Sequence, residues 1–199
     1  MPLDADTLTL TTPRLLLRPL RHCDLFPLAE AANDPEISRW TMTLPYPYGA
    51  GDAAFWIMRS RELLTRGESL PMAVFLQRSL AAADGACYPA GTMVASVGLM
   101  IHAAGRRAEL GYWVAAPYRK CGIAAEAAGA VIDFGFAELQ LERIFAGHFP
   151  GNEASAAVMR RCGMVHESLV RSGALKQGQP LDVTIYAMTR EDWLKGKPR

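Results

Sequence analysis

The chain has 199 residues, 21 Lys and Arg against 20 Asp and Glu, a formal net charge of +1, and a hydrophobic share of 50%. That balance offers no basic surplus to hold a phosphate backbone, so direct nucleic-acid binding is not expected. The apolar share suffices for the core of one domain over 1–199. Cys23, Cys87, Cys121 and Cys162 stand singly at wide spacings, which is neither a zinc pattern nor a disulfide framework. No metal is expected, and a reducing cytoplasm is the expected compartment. The opening Met1 to Asp6 is acidic without an apolar run, so no secretory signal is expected. Glu126 and Asp133 interrupt the alanine-rich stretch after Cys121, which excludes a membrane span there.

In chain order, Leu8 to Leu20 suits a first strand. Asp24 can cap a short helix to about Asn33, with Pro27 tolerated in its first turn. A loop from Trp40 to Gly51 carries Tyr46 and Tyr48 between prolines, and Asp52 can cap an amphipathic helix to about Thr65. Pro71 to Gln77, Gly91 to Ile101 and Arg107 to Ala115 read as strands, with Ser79 to Ala90 as a hairpin loop of no assignable function. Gly122 to Leu139 has helical spacing. Then follow a strand at Arg143 to Phe149, a helix at Asn152 to Cys162 and a strand at Met164 to Arg171. A turn-rich loop at Gly173 to Pro180 and a last strand at Asp182 to Thr189 complete the order. This order predicts an α/β protein, a mixed sheet with helices on both faces.

The segment with chemical content is Glu109-Leu110-Gly111-Tyr112-Trp113-Val114, followed after four residues by Arg119-Lys120-Cys121-Gly122-Ile123-Ala124. A strand runs into a loop, and the loop opens a helix at a glycine. Such a junction presents consecutive backbone N–H groups at the positive end of the helix, where a pyrophosphate binds without a dedicated side chain. Gly122 permits close approach, Ala124 keeps the next turn small, and Arg119 and Lys120 add a positive field. Neither a Walker loop nor a dinucleotide turn is present. The string by itself fits an ordinary strand-to-helix connection equally well.

The surrounding phrases resemble the GNAT superfamily of N-acetyltransferases, in which an (R/Q)-x-x-G-x-(G/A) loop holds the pyrophosphate of acetyl-CoA. Glu109 to Trp113, Tyr118-Arg119 and Gly122 to Ala127 are similar to the RimJ/RimL-like branch that acetylates protein N-termini. So are Asn152-Glu153-Ala154-Ser155 with Cys162-Gly163-Met164, Arg14 to Pro19 near the start, and Asp182 to Tyr186 near the finish. The turn departs from the branch at Met164, where Phe is commoner. The resemblance spans nearly the whole chain. It implies a mostly antiparallel central sheet with a splayed strand pair at the acetyl-CoA site.

It also implies roles. The amides of Arg119, Lys120, Cys121, Gly122, Ile123 and Ala124 would anchor acetyl-CoA, and the pantetheine arm would lie along the strand edge at Trp113 and Val114. A main-chain N–H near Val114 would face the thioester oxygen. Asn152 would bond the pantetheine arm and Ser155 would protonate the departing thiolate, although both residues also suit helix capping. Glu109 is the first candidate for the base and His148 the second. His22, His102 and His166 suit packing or solvent, and Cys121 reads as a small filler. Water could serve as proton acceptor, because an α-amino group (pKa about 8) is already partly neutral at pH 7, unlike lysine at about 10.4.

The acceptor is expected between the Trp40 to Gly51 loop, the helix after it, and the Gly173 to Pro180 loop. With no acidic cluster there, the resemblance favours a peptide N-terminus, with a small-molecule amine as the alternative and a non-catalytic acyl-CoA-binding module as the reading from another class. Many family members pair as homodimers. No membrane partner is expected.

Overall fold

A computed structural model describes residues 3–81, 85–102 and 106–196; residues 82–84 of the Ser79 to Ala90 connection thus lie outside the described part. The expected first strand is two. Pro13 interrupts it, and β1 (Leu10–Thr11) folds back on β2 (Leu15–Arg18), with Leu10 opposite Leu17. Asp24 does not cap α1 (Leu25–Ala32). Its carboxylate instead takes both arms of the Arg18 guanidinium at 2.7 and 2.8 Å and the Arg21 amide at 2.7 Å. Next comes a helix absent from the expectation, α2 (Pro35–Trp40), opened by Asp34 accepting from the Glu36 amide at 2.8 Å. In α3 (Ala50–Thr65) the cap is Gly49, and Asp52 accepts the Gly49 amide at 2.9 Å from within the first turn.

All eight residues of β3 (Ser69–Leu76) are buried, because helices cover both faces of that strand. Leu70, Met72, Val74 and Leu76 point into the larger core, while Ala73 and Phe75 point into a second core beneath α1 and α3. The 79–90 connection contains a two-rung ladder of β4 (Leu80–Ala81) and β5 (Cys87–Tyr88), and Tyr88 meets Tyr118 edge-on at 4.6 Å.

The remaining elements are β6 (Met93–His102), β7 (Arg107–Val114), α4 (Ile123–Ala137), β8 (Arg143–His148), α5 (Glu153–Arg161), β9 (Val165–Lys176), β10 (Gln179–Thr189) and α6 (Arg190–Gly196). The segment expected to be a loop at Gly173 to Pro180 is mostly strand, with the turn confined to Gln177 and Gly178. α6 was also not anticipated. It packs by stacking Trp193 on Phe136 at 5.4 Å.

Eight strands form one sheet in the order β1-β2-β3-β6-β7-β8-β10-β9. Every neighbouring pair is antiparallel except β7 and β8, which α4 joins as a crossover. That parallel pair meets only from Arg107 opposite Arg143 to Glu109 opposite Phe145. Beyond it, β7 stays with β6 as far as Val114 opposite Ala95, and β8 stays with β10 as far as His148 opposite Thr184. The two strands therefore part, and the sheet carries a gap.

Candidate active site

The loop from β7 to α4 closes one end of that gap. A 3₁₀ turn at Ala116–Tyr118 leads to Lys120 at φ 62° and Gly122 at φ 78°, two left-handed residues around Cys121. Alternation of this kind turns successive N–H groups into one concavity suited to an anion. The Glu126 amide donates to the Gly122 carbonyl at 3.1 Å and opens the α4 ladder, so the amides just before it face out of the helix end. A Cβ on Gly122 would be strained by its φ and would lie 3.3 Å from an Arg14 nitrogen. Ile123 is buried in the core and contributes backbone alone.

Arg119, expected to add to a positive field, is engaged within the protein. Its guanidinium bonds the Val114 carbonyl at 3.1 Å and Asp34, the cap of α2, at 2.6 Å. Lys120 remains exposed beside the loop. From the other side Arg14 bonds the Cys121 carbonyl at 3.0 Å and Glu126 at 2.6 Å, while Thr12 donates to the same carboxylate at 2.5 Å. Burial would raise the Glu126 pKa, but the bonds from Thr12 and Arg14 outweigh it and hold the carboxyl below its usual range. Cys121 is half-buried, its thiol 3.5 Å from the Arg119 carbonyl.

Along the gap, the Ala115 amide bonds back across the sheet to the Val94 carbonyl at 3.0 Å. Strand alternation then turns the Val114 N–H away from β6 and into the gap. Trp113 bridges the two cores. Opposite, Asn152 caps α5 by accepting the Ser155 amide at 3.2 Å, which leaves its NH₂ group as a donor. The Ser155 Oγ is 2.9 Å from the Tyr112 hydroxyl, which lies 3.0 Å from the Ser155 carbonyl as well. Tyr112 thus spans from β7 to α5. Burial pushes its pKa up to about 12, so the phenol keeps its proton. Sequence reasoning did not single out this residue.

Glu109 and His148 fall on opposite faces of the sheet. Ala108 and Leu110 are buried toward α4, which sends Glu109 to the other side, where it is exposed at the end of the last β7–β8 pair. There it borders an open groove with Arg107, Arg143, Phe145, Glu167 and Ile185. Arg106 bonds Glu142 at 3.1 Å, not Glu109. His148 follows Ile144 and Ala146 on the α4 side, is 8% exposed, and places Nδ1 2.9 Å from the Phe149 carbonyl and its ring 5.9 Å from Tyr186. It shares its face with Tyr112. Among the other histidines, His102 stacks on Phe145 at 6.0 Å and His166 meets Tyr186 edge-on at 5.6 Å.

The two expected acceptor loops meet through one side chain. Lys176, at the tip of the β9–β10 hairpin, donates to the carbonyls of Ser38, Arg39 and Thr41 at the end of α2, at 2.5, 2.8 and 2.6 Å. Its ammonium also lies 5.8 Å from the Phe149 ring, and burial lowers its pKa. Tyr46 is exposed, but Tyr48 is 6% exposed within the core under α1 and α3 and walls no groove. Among the described residues no group of three His, Cys, Asp or Glu could hold a metal, and no helix is long and apolar enough to cross a membrane.

A gapped sheet whose opening ends on an amide-lined helix start can take an anionic ligand along a free strand edge. The profile of the acetyltransferase (GNAT) domain matches residues 14–165, and the chain belongs to that family. YdaF of Bacillus subtilis is 35% identical over 88 residues; the match takes in 44% of this chain and 48% of YdaF, so the chain spans about half the length of that relative. The structure of Mycobacterium smegmatis RimJ in complex with CoA-disulfide is 26% identical with a TM-score of 0.75, over 89% of this chain and 83% of that one. RimL, the ribosomal L7/L12 alpha-N-protein acetyltransferase, solved with coenzyme A, shares the fold with a TM-score of 0.79 over 92% and 98% of the two chains, at 18% identity.

Proposed function

We propose that residues 1–199 form one cytoplasmic catalytic domain that moves an acetyl group from acetyl-CoA to a primary amine, the α-amine of a protein or peptide N-terminus. The observation carrying this reading is the gap between β7 and β8, closed at one end by the amides around Gly122 and crossed by the Tyr112–Ser155 contact. The donor set fits the cofactor. The left-handed Gly122 leaves room for a diphosphate where a side chain would meet Arg14, and the open edge of β7 suits an amide-bearing arm. Acetyl-CoA supplies the activated thioester carbon that an amine attacks.

The protein's own groups divide the remaining work. Arg119 to Ala124 hold the phosphates through backbone amides, and Trp113, Val114 and the Asn152 NH₂ group align the pantetheine. The Val114 N–H would polarise the thioester oxygen, and Ser155 would give its hydroxyl proton to the departing sulfur and recover one from solvent. Glu109, exposed where the gap begins, takes the amine proton directly or through water. Positioning supplies most of the rate, since effective molarities of roughly 10⁵–10⁸ M exceed the ~10²–10⁴-fold of acid–base assistance. The α-amine reading is supported by the RimJ and RimL likeness and by chemistry, since such an amine is partly neutral at pH 7 without a strong base.

Coenzyme A release is measured with acetyl-CoA against short peptides that differ in their first residue, beside amino acids and small amines. Turnover confined to peptides supports the reading. Turnover confined to small amines replaces the acceptor, and tight acetyl-CoA binding without turnover of any amine makes the domain a binding module.

A further inference from the structure

Tyr112 joins the β7 limb of the gap to α5 by hydrogen bonding, and the acetyl-transfer scheme above assigns it no role. Its hydroxyl has two acceptors in reach on one residue, the Ser155 carbonyl at 3.0 Å and the Ser155 Oγ at 2.9 Å. A tyrosine has one proton, and a serine hydroxyl has one. Two arrangements therefore satisfy the pair. In the first, Tyr112 donates to the carbonyl and Ser155 donates to the Tyr112 oxygen, so the serine proton is engaged on the phenol. In the second, Tyr112 donates to Ser155 Oγ, and the serine proton is free to point elsewhere.

We infer that Tyr112 is a positioning residue that sets the direction of the Ser155 hydroxyl proton, holding it in the first arrangement and releasing it toward a sulfur anion in the second. The inference rests on Ser155 being the proton donor to the departing thiolate. Rotation of two O–H bonds is all the exchange requires, and no heavy atom moves. A carbonyl within α5 already takes the amide four residues on, so losing the tyrosine donor leaves it satisfied. The phenol proton is secure throughout the neutral range, because burial has pushed the group's pKa up to about 12. Without the tyrosine hydroxyl, the serine has the usual alternative of a helical Ser, which is to donate to a carbonyl of the preceding turn and face away from the gap. The Asn152 carbonyl, which accepts the Ser155 amide at 3.1 Å, lies in that turn.

The test compares Tyr112→Phe, Ser155→Ala and the double variant. Phenylalanine keeps the ring that packs beside the core. Ser155→Ala is expected to lower kcat roughly 10²-fold and Tyr112→Phe roughly tenfold, with the KM for acetyl-CoA within about twofold of the parent in both. Because Tyr112 acts through Ser155, the double variant is expected to match Ser155→Ala. A second readout needs no turnover: the thiolate absorbance of bound coenzyme A is titrated with pH. The bound thiol pKa is expected to rise in Tyr112→Phe, by no more than in Ser155→Ala. Parent kcat in Tyr112→Phe beside an impaired Ser155→Ala overturns the inference alone. A tenfold further loss in the double variant also overturns it, since Tyr112 then acts independently. Parent kcat in Ser155→Ala removes the acid role of Ser155 and this inference with it.

Discussion

The cofactor limb and the acceptor limb of the gap are held in different ways. On the cofactor limb, the loop before α4 is braced from two sides, by Arg14 with Glu126 and by Arg119 with Asp34. Its proposed binding groups are backbone amides, fixed once the chain takes left-handed turns at Lys120 and Gly122. On the acceptor limb, one ammonium at a hairpin tip holds the end of a six-residue helix. One limb is anchored to the core sheet, and the other is tied by Lys176 at the hairpin tip and, through Asp34, by Arg119 of the first limb. The lesson is that a constant ligand can be met by backbone held rigid, while a variable one is met by parts joined through replaceable side chains.

The sharpest test of the rigid limb is Gly122→Glu. A carboxylate within about 4 Å of a phosphate costs about 4 kcal/mol at an effective dielectric of 20, so acetyl-CoA affinity is expected to fall on the order of 10³-fold, read by calorimetry. Glu109→Gln probes the chemistry between the limbs. It is expected to lower kcat roughly 10²-fold, with His148→Gln affecting kcat far less. A larger loss in His148→Gln than in Glu109→Gln would place the base on the α4 face instead.

The braces themselves are tested by Glu126→Gln, expected to cost about 1–2 kcal/mol in chemical denaturation, since Arg14 is a third exposed and the pair is partly screened. Its sign with pH follows from a depressed carboxyl. The Glu126 contribution is present above the unfolded-state value near 4.3 and is lost as pH falls through the lower folded value, so the variant loses less stability than the parent on acidification. On the looser limb, Lys176→Met is expected to raise the acceptor KM about tenfold, the loss of roughly one charge-assisted hydrogen bond, with acetyl-CoA affinity unchanged. A fall in cofactor affinity of the same size would show that the limbs are not independent.

Legibility followed the same division. The candidate cofactor loop is local: Arg119 to Ala124 are consecutive, and the string alone fits an ordinary strand-to-helix connection equally well until the flanking phrases are read with it. α2 carries a readable signal, since Asp34-Pro35-Glu36 is a cap, a first-turn proline and an acidic residue in order. The true partner of Arg119 was not readable, because Asp34 lies 85 positions away. Neither was the tie from Lys176 to Ser38, across 138 positions. Tyr112 was hidden differently. It sits in the quoted strand, but alternation alone says only that it faces α4, and its neighbour Ser155 is 43 residues on. The 173–180 segment misled because its glycines and proline suggested a loop, whereas strand pairing holds all but the turn at Gln177 and Gly178.

An enzyme that acetylates amines must live beside its own. Lys176 stands where the acceptor is proposed to enter, with its nitrogen held by the carbonyls of Ser38, Arg39 and Thr41. A nitrogen with three hydrogens in use has no lone pair to offer, and it cannot attack a thioester without first leaving its post. On the proposed activity, the contact that ties the hairpin to α2 would also keep this nitrogen from the thioester, and peptide-mapping mass spectrometry after incubation with acetyl-CoA is expected to find Lys176 unmodified.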